Sequence, residues 1–329
     1  MPNDDAERTT TAPPPAEGLR TPWSTMPTHL RAAVEGWLGS AVVTAVSQPG
    51  GFSPGVAARL TTADGRRAFV KAAGPEPNEL TPQLHRREAR IVDALPPDAP
   101  VPRLLWTIDE GEEGWIVLVF EDIEGRQPAL PWKADELELV LATLATLSLA
   151  LTPAPLPPEV SERARDWGIL LLGWWNRLSY APPPELDAWS LRHVSELAEL
   201  EADAASAADG ETLLHLDLRA DNLLLTPEGR VLVVDWPHAR IGAAWVDVAF
   251  LAPSVAMQGG PRPEALLARH PATATADPQA ITAVAAAIAG FFTYQALQPA
   301  PPGLPTVRAF QAAQGVAARE WLRQRTDWT

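Results

Sequence analysis

The chain contains no cysteine. Disulfide frameworks, thiolate metal sites and thiol nucleophiles are therefore excluded together. It also lacks an apolar run near the roughly 20 residues that a bilayer requires. Ile281 to Phe292 comes nearest, but it is Ala-rich and too short, and it reads as a core helix. The opening MPNDDAERTTTAPPPAEG is acidic, polar and proline-rich, without the basic start and apolar stretch of a secretory signal, so the cytoplasm is the expected compartment. Positive charge is scarce: 26 basic side chains face 41 acidic ones, a net charge of −15 that disfavours nucleic acid and anionic membranes and mildly favours cationic ligands. Within the basic set lysine is nearly missing, with only Lys71 and Lys133 beside 24 arginines. No segment repeats, so solenoids and propellers are excluded.

What remains is a globular composition, 46% hydrophobic, whose 35 prolines belong in loops and helix starts. At 329 residues the chain suits two lobes with a cleft between them. Residues 1–25 read as a flexible tail. A short helix is expected from Thr28 to Leu38, then strands Ala41 to Val46, Val56 to Thr61 and Arg67 to Ala72, the last two joined at Asp64-Gly65. A helix from Leu84 to Leu95 and strands Arg103 to Ile108 and Trp115 to Phe120 complete a lobe over residues 26–121. Residues 122–329 read as a mostly helical lobe, with helices at Ala134 to Leu149, Arg163 to Leu178 and Leu186 to Ala208. One hairpin interrupts it: Leu223 to Leu225 and Val231 to Val234 flank Thr226-Pro227-Glu228-Gly229. The fold class is α+β, an antiparallel β-rich N-lobe followed by a mostly α C-lobe.

The segment His215-Leu216-Asp217-Leu218-Arg219-Ala220-Asp221-Asn222, followed by the hairpin and Asp235, carries the chemistry. Phosphoryl transfer needs an oxygen base for the acceptor hydroxyl and hard oxygen ligands that hold Mg²⁺ against the phosphates. Asp217 suits the first task; Asn222 and Asp235 suit the second, since the hairpin brings its two ends together. Alone, this spacing also occurs in loops shaped by Asx turns. Its weight comes from the lobe before it. There Lys71 ends a strand as a compact cation suited to phosphates, and Glu88 on the next helix is its natural partner. Gly50, Gly51 and Gly55, in a loop that also holds Ser53, let backbone approach phosphates between two strands, unlike a Walker-type loop. Phe69 shares a strand face with Lys71, where it can stack on a purine or pack in the core.

With these residues the sequence resembles, over about Ala41 to Leu251, the aminoglycoside/choline/homoserine phosphotransferase family, whose fold is similar to that of protein kinases. The family pattern His-Gly-Asp-x-x-x-x-Asn, with an Asp ending the next strand, falls on His215, Asp217, Asn222 and Asp235. The resemblance implies a catalytic Asp217 with His215 beside it, Mg²⁺ on Asn222 and Asp235, and ATP or GTP as donor. It further implies a Lys71–Glu88 pair that positions phosphates, a hinge over Glu121 to Ile123 for adenine, and a structural Asp247 bracing the catalytic loop. Leu216 stands where the family has Gly, and Asp235-Trp236-Pro237 differs from the Asp-Phe-Gly of protein kinases. Only 12 residues separate Asp235 from Asp247, which leaves little room for a protein-substrate platform. The expected activity is a small-molecule kinase for an antibiotic or metabolite, an aminoglycoside being the commonest case, with no nucleic-acid or membrane partner. The alternatives are a nucleotide-binding regulatory pseudokinase, or a kinase of a macrolide, nucleoside, choline or homoserine-like acceptor. In the helical lobe Trp167, Trp174, Trp175 and Trp189, with Glu185, Asp187, Glu196, Glu199 and Glu201, are candidates for reading the acceptor or for ordinary packing.

Overall fold

The computed structural model describes residues 14–157, 160, 162–163 and 172–329. Helix α1 (Thr28–Leu38) spaces Leu30, Val34 and Leu38 four residues apart and buries that stripe. It stops where Gly39 turns left-handed (φ 77°) and returns its N–H to the Glu35 carbonyl at 2.8 Å. Strands β1 (Val42–Ser47), β2 (Val56–Thr62) and β3 (Arg67–Ala73) form the expected meander, and Gly65 takes φ 87° in the β2–β3 turn. After helix α2 (Leu80–Asp93), strands β4 (Leu104–Asp109) and β5 (Ile116–Phe120) complete an antiparallel sheet in the order β1-β2-β3-β5-β4. Helix α2 starts earlier than the expected Leu84, because the Asn78 side-chain oxygen accepts the Thr81 N–H (3.0 Å) and hydroxyl (2.9 Å) and so holds its first turn.

Alternation along the strands divides the interior in two. Val117 and Val119 of β5 join Ala68, Val70 and Ala72 of β3 against α1. Ile116, Leu118 and Phe120 face the other way, with Ile91 and Val92 of α2, and belong to the same core as the helical lobe. On that second side β3 leaves Phe69 and Lys71 half-buried, facing the cleft.

The helical lobe runs through α3 (Ala134–Ala150), α4 (Trp174–Tyr180), α5 (Ala188–Arg192), α6 (Val194–Ala202) and α7 (Ala204–Ala207). Two short antiparallel pairs follow: β6 (Thr212–Leu214) with β9 (Arg240–Gly242), and β7 (Leu223–Leu225) with β8 (Val231–Val233). Helices α8 (Val246–Met257), α9 (Pro263–Leu267), α10 (Pro278–Ala296) and α11 (Val307–Thr326) close the lobe. The Ile281 to Phe292 stretch lies inside α10, capped by Asp277, whose carboxylate accepts the Gln279 N–H at 2.9 Å. No helix among the described residues is long and apolar enough to cross a membrane.

Two expectations for this lobe change. The single helix from Leu186 to Ala208 is broken at His193 (φ −108°, ψ 16°), whose ring packs against Trp189 and Trp328 while Nε2 meets the Thr329 carbonyl at 3.1 Å, and again at Asp203. Of the helix expected from Arg163, residues 164–171 with Trp167 lie outside the described residues, and helix appears from Trp174, after left-handed Gly173.

Residues 14–25, read above as the end of a tail, lie against the body of the protein. Thr21 donates to the Gly55 carbonyl at 2.9 Å, Leu19 donates to that of Gly303 at 2.7 Å, and Trp23 is buried with Met26 in the core beneath α1. Trp23→Ala should therefore lower the unfolding free energy by about 3 kcal/mol, the usual loss for emptying a buried tryptophan site. Urea unfolding of the two proteins checks it.

Candidate active site

Strand β6 delivers the chain to a loop whose backbone is held from behind by one carboxylate. The Asp247 oxygens accept the N–H groups of His215 (2.9 Å) and Leu216 (2.8 Å), and burial pushes this carboxyl up to about 6. His215 Nδ1 accepts the Asp217 N–H (3.1 Å), so Nε2 carries the proton donated to the Val234 carbonyl (2.9 Å). Burial lowers this imidazole to about 4, and it stands edge-on to buried Trp236 at 4.8 Å between centroids. Both ring nitrogens are committed to backbone. His215 was expected among the catalytic groups; it braces the loop instead and has no nitrogen free for proton transfer.

Past this brace, Asp217 is held on both oxygens. Asn222 Nδ2 donates to its carbonyl (2.7 Å) and to Oδ2 (3.1 Å), while Arg219 pairs with Oδ1. Arg219 is itself fixed by Asp221, through Nε (3.0 Å) and a terminal nitrogen (2.9 Å), and lies over Phe52 at 5.2 Å and Phe310 at 5.6 Å. Burial pushes the Asp217 carboxyl up to about 7, with Arg219 opposing the rise.

Hairpin β7–β8 carries Asp235 back to the same place, at φ 71°. Lys71 Nζ donates to Glu88 (2.7 Å) and to Asp235 (2.8 Å), so three elements distant in sequence meet on one ammonium. Burial alone would raise the Asp235 pKa, but Lys71 outweighs it and holds the carboxylate well below its ordinary range. Burial works against the lysine too, yet its two carboxylates keep it charged. Glu88 is buried, with no surface role.

Lys71, Asn222 and Asp235 border a cavity of about 370 Å³, within the range of small-molecule sites, and Asp217 adjoins it through its hydrogen bond to Asn222. Gly50, Gly51 and Ser53 of the loop, Phe69 and Lys71 of β3, and Asn222 and Asp235 at the two ends of the hairpin line it. Glu121 and Ile123 line the far end, where Asp122 bolts the hinge to the sheet through Arg59 (2.6 Å) and Arg67 (2.6 Å). Because Asn222 spends its amide nitrogen on Asp217, its amide oxygen is the donor atom left over beside the Asp235 carboxylate. Two hard oxygen donors fit Mg²⁺, which usually takes its other ligands from phosphates and water. Among the described residues no cluster of three or more His, Asp or Glu is arranged to hold a metal by itself.

Among the described residues, Trp174, Trp175 and Trp189 of the helical lobe pack inward. Trp175 is fully buried and donates to the Ala286 carbonyl (2.7 Å), Trp174 packs on Phe291 and Tyr294, and Trp189 on Trp328. Buried Glu201 accepts the Trp174 (3.1 Å) and Trp175 (3.0 Å) N–H groups, bracing the start of α4, while Glu185, Glu196 and Glu199 are exposed. Sequence reasoning missed Arg219, Asp122 and Arg20. Arg219 sat inside the motif with carboxylates two residues away on either side, a signal that was available. Arg20 had none, since its partners lie 28 to 33 residues away.

A family-wide sequence model, that of the phosphotransferase enzyme family (APH), matches residues 47–284. No curated protein matches the chain in sequence. Solved structures do resemble it in fold. A thermostable mutant of aminoglycoside phosphotransferase APH(4)-Ia, in ternary complex with ADP and hygromycin B, superposes with TM-score 0.60 at 17% identity over 92% of this chain and 100% of that one. Choline kinase LicA from Streptococcus pneumoniae gives 0.58 at 16% identity over 90% and 100%. An aminoglycoside phosphotransferase from Alicyclobacillus acidocaldarius gives 0.51 at 17% over 87% and 92%.

Leu216, where the family resemblance implies a glycine, adopts φ 60°, a left-handed backbone that costs an L side chain about 1 kcal/mol. Its side chain is half-buried against the main core. Leu216→Gly should leave the unfolding free energy within about 1 kcal/mol, because relief of strain offsets lost packing. Leu216→Val, β-branched at the same φ, should cost more than about 1 kcal/mol. Equilibrium unfolding of both variants checks the ordering.

Proposed function

The chain belongs to the phosphotransferase enzyme family, and from that premise we propose that it transfers the γ-phosphate of a nucleoside triphosphate to a hydroxyl of a small molecule through Asp217. The observation that carries this reading is that Lys71, Asn222 and Asp235 line one cavity, with Glu88 bonded to Lys71 and Asp217 bonded to Asn222. In this reading residues 26–121 form the nucleotide lobe and 122–329 the catalytic and acceptor lobe. The ADP in the similar APH(4)-Ia structure supports an adenine nucleotide.

Each residue then has a task. Lys71, held by Glu88, meets the α and β phosphates, while the glycines of the loop let backbone close over them. Asn222 and Asp235 would hold Mg²⁺, which supplies charge neutralisation along the phosphates when bound. Asp217 takes the proton of the acceptor hydroxyl as that oxygen bonds to the γ-phosphorus; the bond from phosphorus to the bridging oxygen breaks, and the electron pair leaves on the nucleoside diphosphate. Arg219 and Asn222 keep the carboxylate aimed.

A second space of about 600 Å³ adjoins the first at Gly50, Gln127 and Asp221, and is the natural place for the acceptor. Leu130, Met257 and Phe310 give it apolar walls, and Arg219 neutralises its Asp221. That lining supports a neutral or singly cationic hydroxylated molecule better than a polyamine sugar.

Asp217→Asn should bind nucleotide nearly as wild type does and lose about 10²-fold or more in turnover, the usual scale for a missing general base. With the wild-type carboxyl near 7 and its ionised form required, kcat/KM should fall as pH drops through about 7. An acceptor screen by ADP release, followed by a pH profile, reads both; near-normal turnover of the variant overturns the assignment. Lys71→Arg should keep its melting temperature without ligand, yet lose most of the thermal stabilisation given by MgATP and most turnover, because a broad fork cannot replace the compact ammonium between Glu88 and Asp235.

A further inference from the structure

Arg20 lies outside the family match, which begins at residue 47, in the segment that precedes α1. A short parallel bridge to Gly55 fixes its backbone. From there the guanidinium enters the glycine-rich loop. Nε donates to the Gln48 carbonyl at 3.2 Å, and the two terminal nitrogens donate to Ser53 and Gly50. It borders the same cavity as Lys71, Asn222 and Asp235. Its charge is felt across that cavity: burial lowers the Arg20 pKa and the Asp235 and Asp221 carboxylates push it back up, while Arg20 adds to the forces that keep His85, on the same wall, neutral.

Two further observations give this arginine a task. First, all three of its hydrogen bonds go to carbonyls, and among the described residues it forms no ion pair. Arg219, by contrast, has two carboxylates. A largely buried cation without a counter-ion is costly unless an anion joins it. Second, the loop forgoes two backbone donors: Pro49 and Pro54 follow two of the three carbonyls that Arg20 grips, so neither of those peptides has an N–H to offer. A guanidinium carries five N–H groups, and three are spent on the loop.

We infer that Arg20 is a phosphate-binding residue of the nucleotide site, supplying from the N-terminal segment the donors that the proline-containing loop lacks. This rests on the nucleotide reading above. The guanidinium fixes the loop with three donors and has two N–H groups left for an anionic phosphate in the cavity that it borders.

Calorimetry of the full chain with MgATP and with adenosine, on wild type, Arg20→Met and Arg20→Lys, tests the inference, with unliganded melting temperatures reporting on folding. Arg20→Met should weaken MgATP about tenfold or more, the scale of a lost charge-assisted hydrogen bond, and leave adenosine within about twofold. Arg20→Lys should recover part of the MgATP affinity. Equal losses for MgATP and adenosine would make Arg20 a loop staple only, and unchanged or tighter MgATP binding in Arg20→Met would make it a plug; either overturns the inference and leaves the kinase reading standing. Wild type that binds no nucleotide overturns both.

Discussion

One ammonium group holds the two lobes in register. Lys71 rises from β3, Glu88 from α2 and Asp235 from the end of β8, and the three charges meet within 2.8 Å contacts in a largely buried place. Each would be costly to bury alone. Together they fix the sheet, the crossing helix and the catalytic hairpin relative to one another, and the cavity between them is what their geometry leaves open. Trp236 extends the arrangement: its N–H approaches Glu88 at 3.4 Å, and its ring packs on His215. The triad is thereby coupled to the loop that carries Asp217.

The same triad separates two aspartates that the sequence presents alike. Both are buried, and burial raises a carboxyl pKa. Asp235 faces Lys71 and stays ionised, ready for a cation. Asp217 faces Arg219, but Asp221 and Asp235 oppose that help, and its carboxyl ends near 7. A base must be able both to take a proton and to give it up, whereas a metal ligand must hold its charge. On the proposed reading, the placement of the two cations suits Asp217 to the first part and Asp235 to the second.

Much of this was legible because the signals were local. The Asp64-Gly65 turn and the Thr226 to Gly229 hairpin each specify their element from within a few residues. Lys71 stood out as one of two lysines, and Asp235 by its distance from Asn222. What escaped depends on long-range packing. The break at His193 answers to Trp328 and the chain's end more than a hundred residues away. Trp174, Trp175 and Trp189, candidates for reading an acceptor or for ordinary packing, turn inward because α10 and the C-terminus supply their partners. Arg20 looked like part of a tail because nothing near it in sequence marks the loop it enters. His215 had the right position for chemistry, and only the backbone groups around its two nitrogens show that it is a brace.

The buried carboxyls also set stability and chemistry against each other. The folded pKa of Asp217, about 7, and that of Asp247, about 6, lie above the ordinary aspartate value of 3.8. Between those limits the folded state binds more protons than the unfolded one, so these groups favour the fold at low pH and withdraw that support as pH rises through 6 and 7. Asp235 runs in the opposite sense, since its depressed pKa stabilises the fold above the ordinary value and that support is lost only in strong acid. Across the range from about 4 to 7, then, the Asp217 and Asp247 carboxyls favour the fold as pH falls, and Asp217 takes up its proton. The imidazoles of His85, His215 and His238, whose pKa values burial lowers, act in the opposite sense. Keeping Asp217 ionised near neutrality takes the Arg219 guanidinium and the Asn222 amide, and Phe52 and Phe310 pack on Arg219. Phe52 lies in the glycine-rich loop and Phe310 on α11, so the loop and the last helix both pack on the guanidinium that pairs with Asp217.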